Sequence, residues 1–370
     1  MLTMAAVLLA AASLQAQDNT LRMLVGTYTE HTASEGVYLY SFDQETAEAV
    51  LLDTAKAGNP SFIIPSPDRR FAYGVAEFGD GRQGACAFRL GDDTIEFLNW
   101  QPSIGGTTGA DPCNILYWDG NVITSNYTGG SVSVFPVAED GLLEPMHEEF
   151  SIDWGYESEF ASRHLPEIVS HMHCAVLSPD GKYLFVTDLG AECIYRFTLT
   201  ENRVFGNQTV AHRFPRLTKT GPRHMIFSAD GRFAYLLSEL GDQLTVFQYL
   251  DGQLEAVHSV KAYKGNGHGS ADLHLSPDGR FLYTSHRLKE DGIAVFSVDP
   301  VTGRVKRVGY TATGPHPRNF AITPNGKYLL CACRDSDAIE IYAIDAATGL
   351  LSDTGRRITL GAPVCIQLFQ

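Results

Sequence analysis

The sequence predicts an all-β protein, a seven-bladed β-propeller whose ring is closed by pairing of N- and C-terminal strands in one blade. Three observations support this fold: a strand-like phrase occurs seven times, hairpin-turn motifs follow the same period, and no helical period of useful length is present. A unit of about fifty residues cannot bury its own faces, so it must stack on its neighbours. Alternation of apolar and polar residues makes that unit a four-stranded antiparallel blade.

The repeated phrase is a run of β-branched and aromatic residues that usually leads into an acidic turn. Its copies begin at residues 36, 84, 130, 192, 242, 291 and 337, so the intervals lie between 46 and 62 residues. The longest interval contains an extra acidic stretch, residues 146–159, just before His171-Met172-His173. A long loop in a compact fold often forms a lid or a binding loop, and a solvated excursion is the other interpretation.

The turn motifs separate the first two strands of a blade. Proline presets φ, and Asp-Gly or Asn-Gly tolerates a positive φ, so motifs such as Ser178-Pro179-Asp180-Gly181 favour tight turns. Six such turns serve seven repeated phrases, so one blade lacks its own first strand. We expect the apolar tail Pro363–Phe369 to fill that place beside the N-terminal strands and to close the ring.

The composition restricts the possible partners. The chain of 370 residues carries 28 Lys and Arg against 43 Asp and Glu, a formal net charge of −15. This charge argues against nucleic acid or an anionic membrane surface as a partner, and any site for an anion must be locally basic. An odd number of cysteines, seven, argues against a full disulfide framework. We expect residues 18–370 to form a single propeller domain.

Residues 1–17 precede the repeat and have the pattern of a signal peptide. An apolar core that begins at Val7 is followed by Ser13-Leu14-Gln15-Ala16, which resembles a cleavage region. We therefore expect a periplasmic or secreted protein. The alternative is a tail that stays on a cytoplasmic protein.

When the blades are aligned position by position, polar residues recur at two equivalent positions, and the residues at each of these positions form a column. The column at the start of the first strand holds Ser61, His173, Arg223, Ala271 and Arg318. The column at the end of the second strand holds Glu77, Thr128, Leu189, Glu239, Arg287 and Arg334. Antiparallel pairing places both columns on one rim, around one mouth of the central channel.

Several arginines and two glutamates on this rim indicate a site for a small anion. A single residue of this kind is more often solvated or paired, so the prediction depends on their joint placement. His171 lies two residues before His173 and is an additional candidate. His224 neighbours Arg223, and strand alternation directs it between the blades. The sequence has no convincing metal-ligand set, nucleophile elbow, phosphate loop or dinucleotide fingerprint, so no metal or organic cofactor is predicted.

Several phrases in the chain resemble the lactonase family of seven-bladed propellers, which includes bacterial 6-phosphogluconolactonase and the fungal carboxymuconate lactonising enzyme. The resemblance covers Leu24 to Phe369. The phrases that carry it are Gly221-Pro222-Arg223-His224, Ser238-Glu239-Leu240, Thr187-Asp188-Leu189-Gly190, His171-Met172-His173, Asn126-Tyr127 and Pro317-Arg318. The muconate enzyme's proposed His, two Arg and Glu match His173, Arg223, Arg287 and Glu239. The family's usual Asn before the last Arg is His286 in this chain.

The resemblance implies a lactonase that hydrolyses a sugar-acid lactone at one mouth of the channel without a metal. Glu239 or His173 would activate water, and Arg223 and Arg287 would bind an anionic group and stabilise the oxyanion. The expected partner is a small anionic or sugar-derived lactone. The predicted substrate-binding residues are His171, Glu77, Asn126, Arg318 and Arg334. Two alternatives stay open: a muconate-type cycloisomerase, and a non-catalytic propeller that binds a small anion or a protein.

The N-terminus of the mature protein tests the export hypothesis. If residues 1–17 are a signal peptide, the exported protein begins near Asp18, and its intact mass in material from the native host lacks those residues. A cytosolic protein that retains Met1 contradicts export and favours a phosphorylated substrate.

Overall fold

Seven antiparallel sheets surround a central channel. The computed structural model describes residues 19–103, 110–151, 169–200, 204–215, 218–265 and 267–370. Within these ranges, 28 strands form seven sheets of four strands each. Each sheet is one blade, and the blades are numbered in chain order from the N-terminal strands. The predicted seven-bladed β-propeller is confirmed.

The blades consist of the following strands. Blades one and two contain β28 (Pro363–Phe369), β1 (Thr20–Thr27), β2 (Gly36–Asp43) and β3 (Glu48–Lys56), then β4 (Ile63–Pro65), β5 (Phe71–Ala76), β6 (Gly84–Leu90) and β7 (Ile95–Pro102). Blades three and four contain β8 (Pro112–Trp118), β9 (Asn121–Asn126), β10 (Ser131–Pro136) and β11 (Glu148–Ser151), then β12 (Met172–Leu177), β13 (Tyr183–Asp188), β14 (Cys193–Thr198) and β15 (Gln208–Arg213). Blade five contains β16 (Pro222–Phe227), β17 (Phe233–Ser238), β18 (Gln243–Leu250) and β19 (Gln253–Lys261). Blades six and seven contain β20 (Ser270–Leu275), β21 (Phe281–His286), β22 (Gly292–Val298) and β23 (Val305–Ala312), then β24 (Pro317–Ile322), β25 (Tyr328–Cys333), β26 (Ala338–Ile344) and β27 (Leu351–Thr359).

The C-terminal tail closes the ring, as the sequence predicts. Strand β28 is the first strand of blade one and pairs antiparallel with β1, with Arg22 opposite Phe369 and Val25 opposite Ile366. The repeated phrase is the third strand of every blade. Blade one is therefore assembled from both ends of the chain.

The turn motifs are stabilised by hydrogen bonds between their own side chains. Ser66 Oγ donates to Asp68 Oδ1 at 2.7 Å and accepts a hydrogen bond from the Phe71 backbone N–H at 3.0 Å. The same hydroxyl-to-carboxylate or hydroxyl-to-amide contact joins Ser178 to Asp180, Ser228 to Asp230, Ser276 to Asp278 and Thr323 to Asn325. Local hydrogen bonding thus explains why these residue types mark the period.

The core is divided among the interfaces between neighbouring blades. Seven clusters of buried apolar residues occupy the seven interfaces in the described part of the chain. Leu39 and Phe88 belong to the cluster between blades one and two, and Ile341 and Ile366 belong to the cluster between blades seven and one. The described ranges contain no helix that is long and apolar enough to span a membrane, and their one helical element is a 3₁₀ turn, Arg334–Ser336.

The extra acidic stretch is partly a strand. Its residues Glu148–Ser151 form β11, which pairs with β10 at the outer edge of blade three. The Glu148 carboxylate accepts hydrogen bonds from the backbone N–H groups of Val204 and Phe205, each at 3.1 Å. This part of the predicted loop therefore has a structural role. Residues 152–159 and the predicted signal peptide lie outside the described residues.

Deletion of residues 363–370 tests ring closure. The deletion removes β28, leaves backbone groups of β1 unpaired and exposes two blade interfaces. We expect aggregation, or a midpoint of thermal unfolding lower by roughly 10 °C or more. Circular dichroism measures the midpoint, and deletion of Gln370 alone, which follows the strand, is the matched control. An unchanged midpoint in the longer deletion would contradict this closure.

Candidate active site

The first strands of several blades begin with the same irregularity. In blades three, four, five and seven, the register with the second strand shifts by one residue. The extra residues are Cys113, His173, Arg223 and Arg318. A β-bulge of this kind redirects a side chain and is common beside active sites. The four bulged side chains all reach one cavity.

The cavity lies at the channel mouth formed by these strand starts. Its volume is about 360 Å³, within the range of small-molecule sites. Its lining residues come from six blades and are Glu77, Asp111, Cys113, Tyr127, Thr128, His173, Arg223, Glu239, Arg287 and Arg318. The structure thus brings together six of the nine predicted site residues.

Glu239 pairs with two arginines in this cavity. Its Oε2 accepts a hydrogen bond from Arg223 Nε at 2.8 Å, and its Oε1 accepts one from Arg287 Nη2 at 2.9 Å. The side chains of Arg223 and Arg287 are only 2% and 5% exposed. Buried charges need a partner, because desolvation is costly. Glu239 is therefore the shared counter-ion of both guanidinium groups.

His173 and Glu239 differ in charge at neutral pH. Burial alone would raise the pKa of Glu239, but Arg223 and Arg287 outweigh that effect and lower it. Burial, with the positive charge of Arg223, lowers the pKa of His173 well below its usual value. His173 Nε2 lies 4.0 Å from Glu239 Oε2, and His173 Nδ1 lies 3.7 Å from Cys113 Sγ. A neutral imidazole and an ionised carboxylate therefore face the same space.

A second ion pair completes the wall of the cavity. Arg318 Nη2 lies 3.4 Å from each carboxylate oxygen of Glu77, and its guanidinium lies 5.3 Å from the centre of the Tyr28 ring. The Tyr28 hydroxyl donates to Glu77 Oε1 at 2.8 Å. Burial alone would lower the pKa of Arg318, but Tyr28 and Glu77 raise it. With Asp111, three carboxylates line the cavity with three arginines.

Three predicted residues, His171, Asn126 and Arg334, are absent from the described lining of the cavity. His171 stacks on the Tyr127 ring at 4.4 Å, and its Nδ1 is 2.9 Å from the Tyr127 carbonyl oxygen. Asn126 is fully buried, and its amide donates at 2.9 Å to two serine hydroxyls of β10. Arg334 Nε donates to the neighbouring Asp335 at 2.6 Å. Of these three residues, His171 contacts a lining residue, Tyr127, whereas Arg334 forms an exposed ion pair.

Sequence comparison of the blades missed three residues of the lining, namely Tyr127, Asp111 and Cys113. Tyr127 directly follows the second strand of blade three, and it occupies the position that the comparison of blades assigned to Thr128. The turn in this blade has two residues instead of five, so the count from its Asp is one residue too long. The missing Ser-Pro before Asp119-Gly120 is the signal for this difference. Asp111 precedes β8 at a positive φ of 44°, and strand alternation gives no signal for it.

The predicted orientation of His224 is wrong. Because Arg223 is the extra residue of the bulge, Arg223 and His224 both face the channel. The His224 ring lies 6.1 Å from the ring of Phe62 in blade two, and its Nδ1 lies 2.8 Å from Asp272 Oδ1 in blade six. His224 therefore lies near the channel axis, next to the cavity.

A larger cavity of about 470 Å³ lies away from the channel, along the outer strand of blade six. It is lined by Tyr263, Lys264, Glu290, Arg307, Val308, Gly309 and Tyr310. These residues come from β23, the loop before β22 and the segment after β19. The described lining of this outer cavity contains no histidine, so we place the candidate active site at the channel mouth.

Replacement of Glu239 by Leu tests the shared counter-ion. The change leaves two buried guanidinium groups without their carboxylate, and we expect a loss of about 3–5 kcal/mol in the free energy of unfolding. Urea unfolding measures this loss. Arg89→Ala is the control, because the Arg89–Glu96 pair is on the surface and its loss costs less than about 1 kcal/mol. Equal effects of the two substitutions would contradict the role of Glu239.

The chain matches known proteins along almost its whole length. The family model described as "Lactonase, 7-bladed beta-propeller" matches residues 22–368. A 6-phosphogluconolactonase from Formosa agariphila is 32% identical, over 94% of this chain and 99% of the relative.

Two solved structures share the fold and much of the sequence. A proposed 6-phosphogluconolactonase from Bacteroides uniformis is 43% identical with a TM-score of 0.86, covering 95% of this chain and 99% of the other. The periplasmic gluconolactonase PpgL of Pseudomonas aeruginosa is 31% identical with a TM-score of 0.83, covering 95% and 99%. The resemblance seen in the sequence is confirmed, and the chain belongs to the lactonase family of seven-bladed β-propellers.

Proposed function

We propose that this protein hydrolyses the lactone of a sugar acid in the cavity at the channel mouth. The observation that carries the proposal is the placement of His173 Nε2 at 4.0 Å from Glu239 Oε2, next to two buried arginines. The lowered pKa values of His173 and Glu239 agree with a neutral imidazole beside an ionised carboxylate. The names of the relatives, 6-phosphogluconolactonase and gluconolactonase, support the same class of reaction.

In the proposed reaction, His173 is the base. His173 Nε2 and Glu239 Oε2 are 4.0 Å apart, so one water molecule can contact both atoms. His173 takes a proton from this water as the water oxygen attacks the lactone carbonyl carbon. The ring C–O bond then breaks, and the proton on His173 passes to the leaving oxygen. Glu239 stabilises the imidazolium, and it is the poorer base because both its oxygens already accept hydrogen bonds from guanidinium groups.

The arginines stabilise the negative charge that develops on the carbonyl oxygen. Arg223 and Arg287 are buried and fixed by Glu239, so little reorganisation accompanies the reaction. These guanidinium groups supply the positive charge that a metal ion would otherwise provide, and we propose a metal-independent reaction. Activity that persists after exhaustive treatment with EDTA supports this point, and loss restored by a metal ion contradicts it.

The charge balance of the cavity favours a lactone without a phosphate. Three arginines face three carboxylates, so a neutral substrate meets a balanced site and only the transition state adds a negative charge. Among the described lining residues, the arginines are matched in number by carboxylates, so a phosphate dianion would lack a free cation there. The proposal agrees with export, since the relative from Pseudomonas aeruginosa is called periplasmic. A cytoplasmic location remains the alternative.

Replacement of Glu239 by Gln tests the proposed function. The variant keeps the shape of the side chain but removes the charge that stabilises the imidazolium, and we expect turnover to fall by roughly 100- to 10,000-fold. Acid release from gluconolactone, corrected for spontaneous hydrolysis, measures turnover. Arg223→Lys should also lower kcat, because Lys lacks the planar donor set that stabilises the oxyanion in the transition state. The surface variant Arg89→Ala is the control and should match the wild type.

Two outcomes separate the parts of this proposal. If the purified wild-type protein accelerates the hydrolysis of no lactone, with or without a phosphate group, the proposed hydrolysis is contradicted. The alternative of a non-catalytic propeller is then favoured. A higher kcat/KM for 6-phosphogluconolactone than for gluconolactone keeps hydrolysis and contradicts the inference from charge balance.

A further inference from the structure

The polar side chains on the channel axis contact the candidate active site directly. We propose that Asp272 and His224 are positioning residues for Arg223: the carboxylate fixes the tautomer of the imidazole, and the imidazole fixes the guanidinium. The expected effect of these residues on turnover rests on the proposed function, whereas the hydrogen-bond arrangement is independent of it.

The tautomer of His224 follows from its two neighbours. Arg223 Nη1 lies 3.1 Å from His224 Nε2 and also donates to the Ala271 carbonyl oxygen. A guanidinium has donors only, so His224 Nε2 must be the acceptor and carries no hydrogen. Nδ1 carries the hydrogen and donates to Asp272 Oδ1 at 2.8 Å. Burial, with the charge of Arg223, lowers the pKa of His224 to about 4, which agrees with a neutral ring.

Asp272 is itself held in place from three blades. Asn319 Nδ2 of blade seven donates to its Oδ2 at 2.6 Å, and His274 Nε2 of blade six lies 3.0 Å from the same oxygen. Asn319 Oδ1 accepts a hydrogen bond from the backbone N–H of Ile366 at 2.7 Å. A continuous series of hydrogen bonds therefore runs from the closing strand β28 to Arg223.

This support determines which part of Arg223 can meet a ligand. Nε donates to Glu239 and Nη1 is engaged by His224 and Ala271, so Nη2 is the group left for the oxyanion in the proposed reaction. If the guanidinium rotated, the contact with Glu239 and the contact with the ligand would be lost together. A displacement of about 1 Å in such a group can cost about 100-fold in rate.

Arg287 has a similar but looser environment. Its Nη1 lies 3.4 Å from His316 Nε2, and His316 Nδ1 lies 3.6 Å from Asp335 Oδ2. Burial and the charge of Arg287 lower the pKa of His316 to about 3, so this imidazole is also neutral. Asp335 is half exposed, whereas Asp272 is buried. Arg223 is therefore held by shorter contacts than Arg287.

Replacement of Asp272 by Asn tests positioning through the tautomer. The amide can present its NH₂ group to His224 Nδ1, which allows a hydrogen on Nε2, and that tautomer cannot accept from Arg223. We expect kcat/KM to fall by about 100-fold, mainly in kcat, because the oxyanion forms only in the transition state. His258→Gln is the matched control, since His258 lies on the outer strand β19 and hydrogen-bonds the Val305 carbonyl oxygen instead of Asp272, and its kcat/KM should stay near the wild-type value.

A pair of variants at His224 gives a second test. His224→Phe removes the acceptor for Arg223 and should reduce kcat/KM. His224→Gln supplies an amide oxygen and should recover much of the loss. If Asp272→Asn and His258→Gln lower the unfolding midpoint alike and both leave kcat/KM unchanged, Asp272 only stabilises the fold and the positioning proposal fails.

Nitrogen NMR tests the arrangement without any activity. In protein labelled with ¹⁵N-histidine, the His224 signal, assigned by its loss in His224→Gln, should show a protonated Nδ1 and a bare Nε2. A protonated Nε2 in the wild type overturns the positioning proposal. A wild type that is inactive on all lactones but has the expected tautomer contradicts the proposed function and leaves the positioning arrangement supported.

Discussion

Hydrogen bonds that converge on the buried Asp272 hold the ring together at its axis. This carboxylate connects blades five, six and seven directly, and it reaches blade one through Asn319 and Ile366. A buried carboxylate is costly unless its hydrogen bonds are complete. Burial alone would raise the pKa of Asp272, but His274 and His224 outweigh that effect and lower it. The Asp272 carboxylate therefore stays charged at the channel axis, and Asn319 connects it to the closing strand β28.

The same strand starts produce the cavity. Each β-bulge turns one side chain towards the channel mouth. The side chain of the following residue then points to the channel axis, as Arg223 and His224 show. A propeller with regular strands would place such neighbours on opposite faces. Fold and site are thus linked by one backbone feature. An acidic protein, of formal net charge −15, can in this way collect three arginines with three carboxylates in one small space.

The fold could be predicted because its signals are local. The Ser-Pro-Asp-Gly turns form hydrogen bonds within a few residues, and the strand after each turn alternates in the sequence itself. Strand polarity then places His173, Arg223, Glu239 and Arg287 at one end of the channel. The position of Tyr127 and the orientation of His224 could not be predicted in this way, since turn length and a register shift change which residue faces the channel.

A crystal structure with a lactam analogue of gluconolactone tests the central claim, that the channel mouth is the catalytic site. The analogue keeps the ring and the carbonyl but resists hydrolysis. We expect it in the cavity at the channel mouth, with its carbonyl oxygen within hydrogen-bond distance of Arg223 or Arg287 and its carbonyl carbon facing the space between His173 and Glu239. Binding in the outer cavity between Tyr263 and Tyr310, with the channel mouth empty, would contradict the assignment.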